Sequence, residues 1–122
     1  MKKIGFIGLG NMGAKMVINL LEANYEVIGY DINQKLTEKL STYGMKQALH
    51  LNDIPKNADI IITMLPNGDI VEQVYENMID NCKTGTLLTD CSTIDVDKAR
   101  DLNKKCETKG LLSLDAPVSG GV

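Results

Sequence analysis

Short apolar runs and longer stretches of helical periodicity alternate along the whole chain, and this alternation sets the fold class. Residues 3–8 (KIGFIG) read as a strand ending in glycine. Met12, Met16, Val17, Leu20 and Leu21 then recur at helical spacing, which predicts a helix over about residues 11–23, with Asn24 as its left-handed stop. A second strand is expected over residues 26–30. Leu36, Leu40 and Tyr43 mark a helix that Asn33 can cap and Gly44 can end. A weak strand over residues 46–49 and a short helix over residues 52–57 follow. Residues 59–65 (DIIITML) form the strongest strand signal, apolar nearly throughout. Beyond Pro66-Asn67-Gly68, a helix buries Ile70, Val71, Val74 and Met78. Residues 86–90 are a strand, and Val96, Ala99, Leu102 and Cys106 line a helix stopped by Gly110. Residues 111–116 are a last strand that Pro117 ends.

Six strands alternating with helices, and 122 residues in all, predict one α/β domain. Such alternation requires crossover helices and a parallel sheet covered on both faces, and six strands fit the doubly wound order 3-2-1-4-5-6, the Rossmann arrangement.

Gly8-Leu9-Gly10-Asn11-Met12-Gly13 matches G-x-G-x-x-G. Three glycines at this spacing mean little in isolation, but here they follow a strand and open a helix. Gly8 permits the tight turn, Gly10 leaves room for a pyrophosphate, and Gly13 lets helix and strand pack closely. The helix start offers unpaired N–H groups to phosphates. The alternative is a tight turn with no ligand. Asp31 lies at the end of the second strand, 18 residues after Gly13. A carboxylate there can hold an adenosine ribose and repels a 2′-phosphate, while the sole arginine, Arg100, is remote in sequence. NAD is therefore expected in preference to NADP. A simple helix-capping role for Asp31 is the competing reading.

Composition excludes other classes. With 13 basic and 16 acidic side chains the net charge is −3, and aromatic residues are 4% with no Trp. Neither a nucleic-acid surface nor a base-stacking platform is expected. No apolar run approaches the roughly 18–20 residues of a membrane span. The start reads as mature protein, because Asn11 and Lys15 interrupt its apolar stretch. Cys82, Cys91 and Cys106 have neither disulfide nor zinc spacing, so reduced thiols, a cytoplasmic location and no metal are expected. His50 receives no chemical role.

Four ordered segments resemble the β-hydroxyacid dehydrogenases: residues 7–16 (IGLGNMGAKM), Met64-Leu65-Pro66, residues 90–95 (DCSTID) and residues 115–121 (DAPVSGG). The resemblance spans essentially the whole chain. It implies that Leu65, Pro66 and Ile70 line the adenosine side of an NAD site and that Thr93 lies toward the nicotinamide. Read without the resemblance, Leu65-Pro66 is a strand exit and Thr93 a helix cap. Asn33 is counted with the cofactor-side residues. Cys91 stands where Ser is common and reads as a buried small residue. Ser119, Gly120 and Gly121 are implied to hold a substrate carboxylate, the bare alternative being an exit loop.

The resemblance also implies a general-acid lysine in a Gly-rich segment beyond Val122, and a helical C-terminal domain that closes the site and builds a homo-oligomer. The chain is therefore expected to be the cofactor-binding part of a longer enzyme acting on a short 3-hydroxyacid such as 3-hydroxyisobutyrate. It should bind NAD without turnover, and show exposed apolar surface around its last helix and strand. Tartronate semialdehyde reduction and imine reduction are the alternative chemistries. A dinucleotide-sensing regulatory module is the alternative of another class, although it would have no need of residues 115–121.

Overall fold

Strand β1 (Lys3–Ile7) is apolar on both faces because it lies in the middle of the sheet. The computed structural model describes residues 2–116, so Pro117, Ser119, Gly120 and Gly121 lie outside the described residues. The elements that follow are α1 (Asn11–Glu22), β2 (Glu26–Tyr30), α2 (Gln34–Ser41), β3 (Lys46–Gln47), α3 (Asp53–Asn57) and β4 (Ile60–Thr63). Then come α4 (Gly68–Met78), a 3₁₀ turn (Ile79–Asn81), β5 (Leu87–Asp90), α5 (Val96–Thr108) and β6 (Leu112–Asp115). All the strand pairs are parallel and the order is β3-β2-β1-β4-β5-β6, the order expected from the alternation.

Alternation along β1 divides the core. Ile4 and Phe6 pack with Val17 of α1, Leu40 of α2, Val27 and Met45 on one face. Ile7 packs on the other with Ile54 of α3, Val71, Tyr75 and Met78 of α4, Leu88 of β5, and Leu102 and Cys106 of α5. Gly5 lies under α3, where a β-carbon would stand 2.5 Å from Ile54 Cγ2 and 3.1 Å from Ala58 Cβ. The helices that cover β5 and β6 belong to this second face, whereas Ile62 of β4 packs against the first. Leu112 and Leu114, at 60% and 54% exposure, are therefore uncovered on the other, and Val96 at the start of α5 is exposed too.

Several expected boundaries contract. The third strand has two residues instead of four, because it pairs only with Ile28 and Gly29 at the sheet edge. The fourth starts at Ile60, since the Asp59 carboxylate accepts the Lys3 N–H at 3.0 Å and so sits beside the strand as a cap. The short helix begins at Asp53, the fifth strand at Leu87, and the last strand covers Leu112–Asp115 only. Helix stops fall where expected, with Asn24 at φ 68°, Gly44 at 106° and Gly110 at 73°. The 3₁₀ turn after α4 was not legible from periodicity.

Replacing Gly5 by Val forces branched carbons into fully buried Ile54. The expected cost is about 1–3 kcal/mol, read as a lower urea midpoint at unchanged slope; an unchanged midpoint contradicts the packing described.

Candidate cofactor site

Doubly wound sheets open a crevice where the strand order reverses, between the carboxyl ends of β1 and β4. The chain has a cleft of about 400 Å³ there. The Gly8–Gly13 turn forms its floor through Gly8, Gly10, Asn11, Met12 and Gly13. Asp31 closes one end, and Leu65, Pro66 and Ile70 form the opposite wall. Residues far apart in sequence are thus brought together as expected.

Each glycine of the turn has its own steric reason. Gly8 has φ 100°, and a β-carbon there would overlap the Met64 carbonyl oxygen. A β-carbon on Gly13 would overlap the Gly8 carbonyl oxygen. Gly10 differs: its backbone is extended (φ −67°, ψ −170°), and a β-carbon would meet no protein atom within 4 Å. Its bareness serves the space above it and not the fold. Gly10 is also the N-cap of α1, and no side chain caps that helix; its first turn carries no acidic residue. The other helices of eight residues or more are capped by Asn33, Asn67 and Asp95. The N–H groups at the start of α1 therefore remain available to an anion in the cleft.

Asp31 ties the turn to the second strand. Its Oδ2 accepts the Leu9 N–H at 2.8 Å and its Oδ1 accepts the Asn33 N–H at 2.8 Å. It does not cap α2; Asn33 does, through its side-chain oxygen and the Lys35 N–H at 3.2 Å. Asn33 is accordingly engaged at the helix start and is absent from the cleft lining. Leu9 contributes only its backbone, its side chain being buried in the core beside Phe6 and Val17. Thr93 is exposed on the loop after β5 and is not in the cleft lining. Nor is it a cap, since Asp95 accepts the Lys98 N–H at 2.8 Å in that role.

Sequence reasoning missed five lining residues, Ile7, Tyr30, Ile32, Met64 and Val74. Two carried a signal. Ile32 is an isolated apolar residue between Asp31 and Asn33 and is 90% exposed at the cleft rim. Val74 lies one helical turn beyond Ile70 and shares its face. Neither a lysine nor an arginine lines the cleft among the described residues.

The family of the NAD binding domain of 6-phosphogluconate dehydrogenase matches residues 3–122. The chain belongs to this family. It is 43% identical over 122 residues to the mitochondrial 3-hydroxyisobutyrate dehydrogenase of Drosophila melanogaster, covering 99% of this chain and 38% of that protein. It is 41% identical over 124 residues to an NAD-dependent L-serine dehydrogenase of Pseudomonas aeruginosa, covering 99% and 42%. A solved structure of Mycobacterium tuberculosis 3-hydroxyisobutyrate dehydrogenase with L-serine superposes with a TM-score of 0.95 at 40% identity, covering 99% and 42%. The chain thus spans about two-fifths of the length of these relatives.

Burial makes the thiols of this domain weaker acids than a free cysteine. Burial pushes Cys82 and Cys106 up to about 11 and raises Cys91, to which the neighbouring Asp90 charge adds. At pH 8 a thiol of that acidity is ionised to the order of 0.1%. Cys82 and Cys106 should therefore resist a disulfide reagent at pH 8 until denaturant is added. Because their folded values lie above the unfolded thiol value, the stability they contribute is present below about pH 9. It is lost as pH rises toward 11. Thermal melts should fall over that window; rapid labelling at pH 8 or a flat alkaline melt contradicts it.

Proposed function

We propose that this cleft holds NAD(H) in preference to NADP(H), as the cofactor-binding part of a dehydrogenase acting on a short 3-hydroxyacid. The observation that carries the cofactor preference is Asp31, held at the cleft by the Leu9 N–H with no cation in the lining among the described residues. Its carboxylate is placed to accept hydrogen bonds from ribose hydroxyls and would repel a 2′-phosphate. Ile32 offers that phosphate only an aliphatic surface. Gly10, Asn11, Met12 and Gly13 would hold the pyrophosphate against bare backbone and the start of α1. Leu65, Pro66, Ile70 and Val74 supply an apolar wall for the adenosine half, and Thr93, free of any capping duty, is assigned to the nicotinamide end.

Bound NAD supplies a carbon that accepts hydride from the substrate alcohol. The residues of this chain bind and orient it and keep water from one side. Ser119, Gly120 and Gly121 are assigned to the substrate carboxylate. The relatives named above point to the substrate class: 3-hydroxyisobutyrate and L-serine are both short acids with a hydroxyl on the third carbon. No residue among the 122 is assigned as general acid, so the chain alone is expected to bind cofactor without sustained turnover. Exposed Leu112 and Leu114 suit burial in an oligomeric parent, and the unpaired cysteines suit the reducing cytoplasm.

Calorimetric titration of three chains tests this. The unchanged chain should bind NADH at least about tenfold more tightly than NADPH. Asp31→Asn keeps an acceptor for Leu9 and should shrink that ratio severalfold. Gly10→Val, at an N-cap where Val is less favoured than Gly, should lower the melt by only a few degrees while weakening NADH by about tenfold or more. Equal binding of both dinucleotides by the unchanged chain, or full affinity in Gly10→Val, contradicts the assignment.

A further inference from the structure

A polar cluster of Thr63, Asp90 and Ser92 joins the carboxyl ends of β4 and β5. Asp90 ends β5 and is only 3% exposed. Its Oδ1 accepts three donors: Thr63 Oγ1 at 2.7 Å, Ser92 Oγ at 2.7 Å and the Ser92 N–H at 3.2 Å. Thr63 is its register partner on β4. The Ser92 hydroxyl, while donating to Asp90, accepts the Leu65 N–H at 2.8 Å.

The consequence lies in the direction of this chain of bonds. Leu65 is past the end of β4, where no strand partner remains for its N–H. A buried carboxylate is costly without full hydrogen bonding, and an apolar side chain at position 90 would pack there without that cost. The carboxylate does what an apolar residue could not. It fixes the Ser92 hydroxyl so that the hydroxyl's lone pair, not its proton, faces Leu65. One oxygen thereby ties together two loops, Leu65-Pro66 on the cleft wall and Ser92-Thr93 after β5.

We infer that Asp90 is a positioning residue which, through Ser92, sets the spacing of the two loops assigned to opposite halves of the dinucleotide. This rests on the cofactor reading above and adds to it a residue that touches no ligand. A ligand spanning both loops depends on their spacing. ADP-ribose lacks the nicotinamide, so it uses the glycine turn, Asp31 and the Leu65-Pro66 wall without depending on the distance from that wall to Thr93; the hydrogen bonds of Asp31 are separate from Asp90.

The test compares NADH with ADP-ribose by calorimetry on the full chain. Asp90→Ala should weaken NADH by about tenfold or more, the worth of a hydrogen bond to a charged group, and ADP-ribose by less than about threefold. Asp90→Asn, which keeps an acceptor for Thr63 and Ser92, should restore most of the NADH affinity. Ser92→Ala removes the link to Leu65 and one of the three donors to Asp90, leaving Thr63 and the residue-92 N–H on the carboxylate; it should give the same split, which keeps the test open should Asp90→Ala fail to fold. Equal losses for both ligands, or no loss, overturn the inference. Failure of the unchanged chain to bind either ligand overturns the cofactor reading instead.

Discussion

The closeness with which α1 can start behind β1 determines everything at the carboxyl edge of this sheet. The chain must leave the central strand and enter a helix within a few residues, while passing the Met64 backbone and its own Gly8 carbonyl. Any β-carbon at Gly8 or Gly13 would collide with backbone that cannot move aside. With both glycines in place, the helix axis points its uncapped start into the crevice. The cleft and its affinity for anions are therefore products of one steric constraint.

Around that turn, the polar groups divide into two layers. Asp31 faces the cleft and draws the second strand toward the turn through Leu9 and Asn33. Asp90 lies behind and ties the ends of β4 and β5. Tyr75 closes the rear of this second layer. Burial and the Asp90 charge push its phenol well above the ordinary tyrosine range, against the lowering effect of a hydrogen bond with Thr63, and so keep it neutral. Both carboxylates hold backbone segments in place, but of the two only Asp31 lines the cleft between β1 and β4.

Much of this was legible in the sequence because the signals were local. A glycine pattern between an apolar run and a helical period identifies the turn, and Asp31 follows a strand at the distance the fold demands. Helix stops at Asn24, Gly44 and Gly110 were readable because each needs a left-handed backbone. Other features depend on tertiary pairing and left little local trace. The short β3 is limited by the length of its only neighbour contact. Ile32 reads as a surface irregularity until the cleft places it at a rim. Asn33 and Leu9 were legible as members of the site segment, yet the fold uses one as a cap and the other's side chain as core. The role of Asp90 depends on Thr63 lying opposite it across the sheet, a pairing 27 residues away in sequence.

A dinucleotide in the crevice between β1 and β4 should be visible in amide chemical shifts of the 122-residue chain during an NADH titration. Saturable shifts are expected at Gly10–Gly13, at Asp31 and Ile32, and at Leu65, with the opposite sheet end around Lys46 and Asn57 unmoved. Shifts concentrated at that opposite end, or none at the glycine turn on saturation, would contradict binding in that crevice.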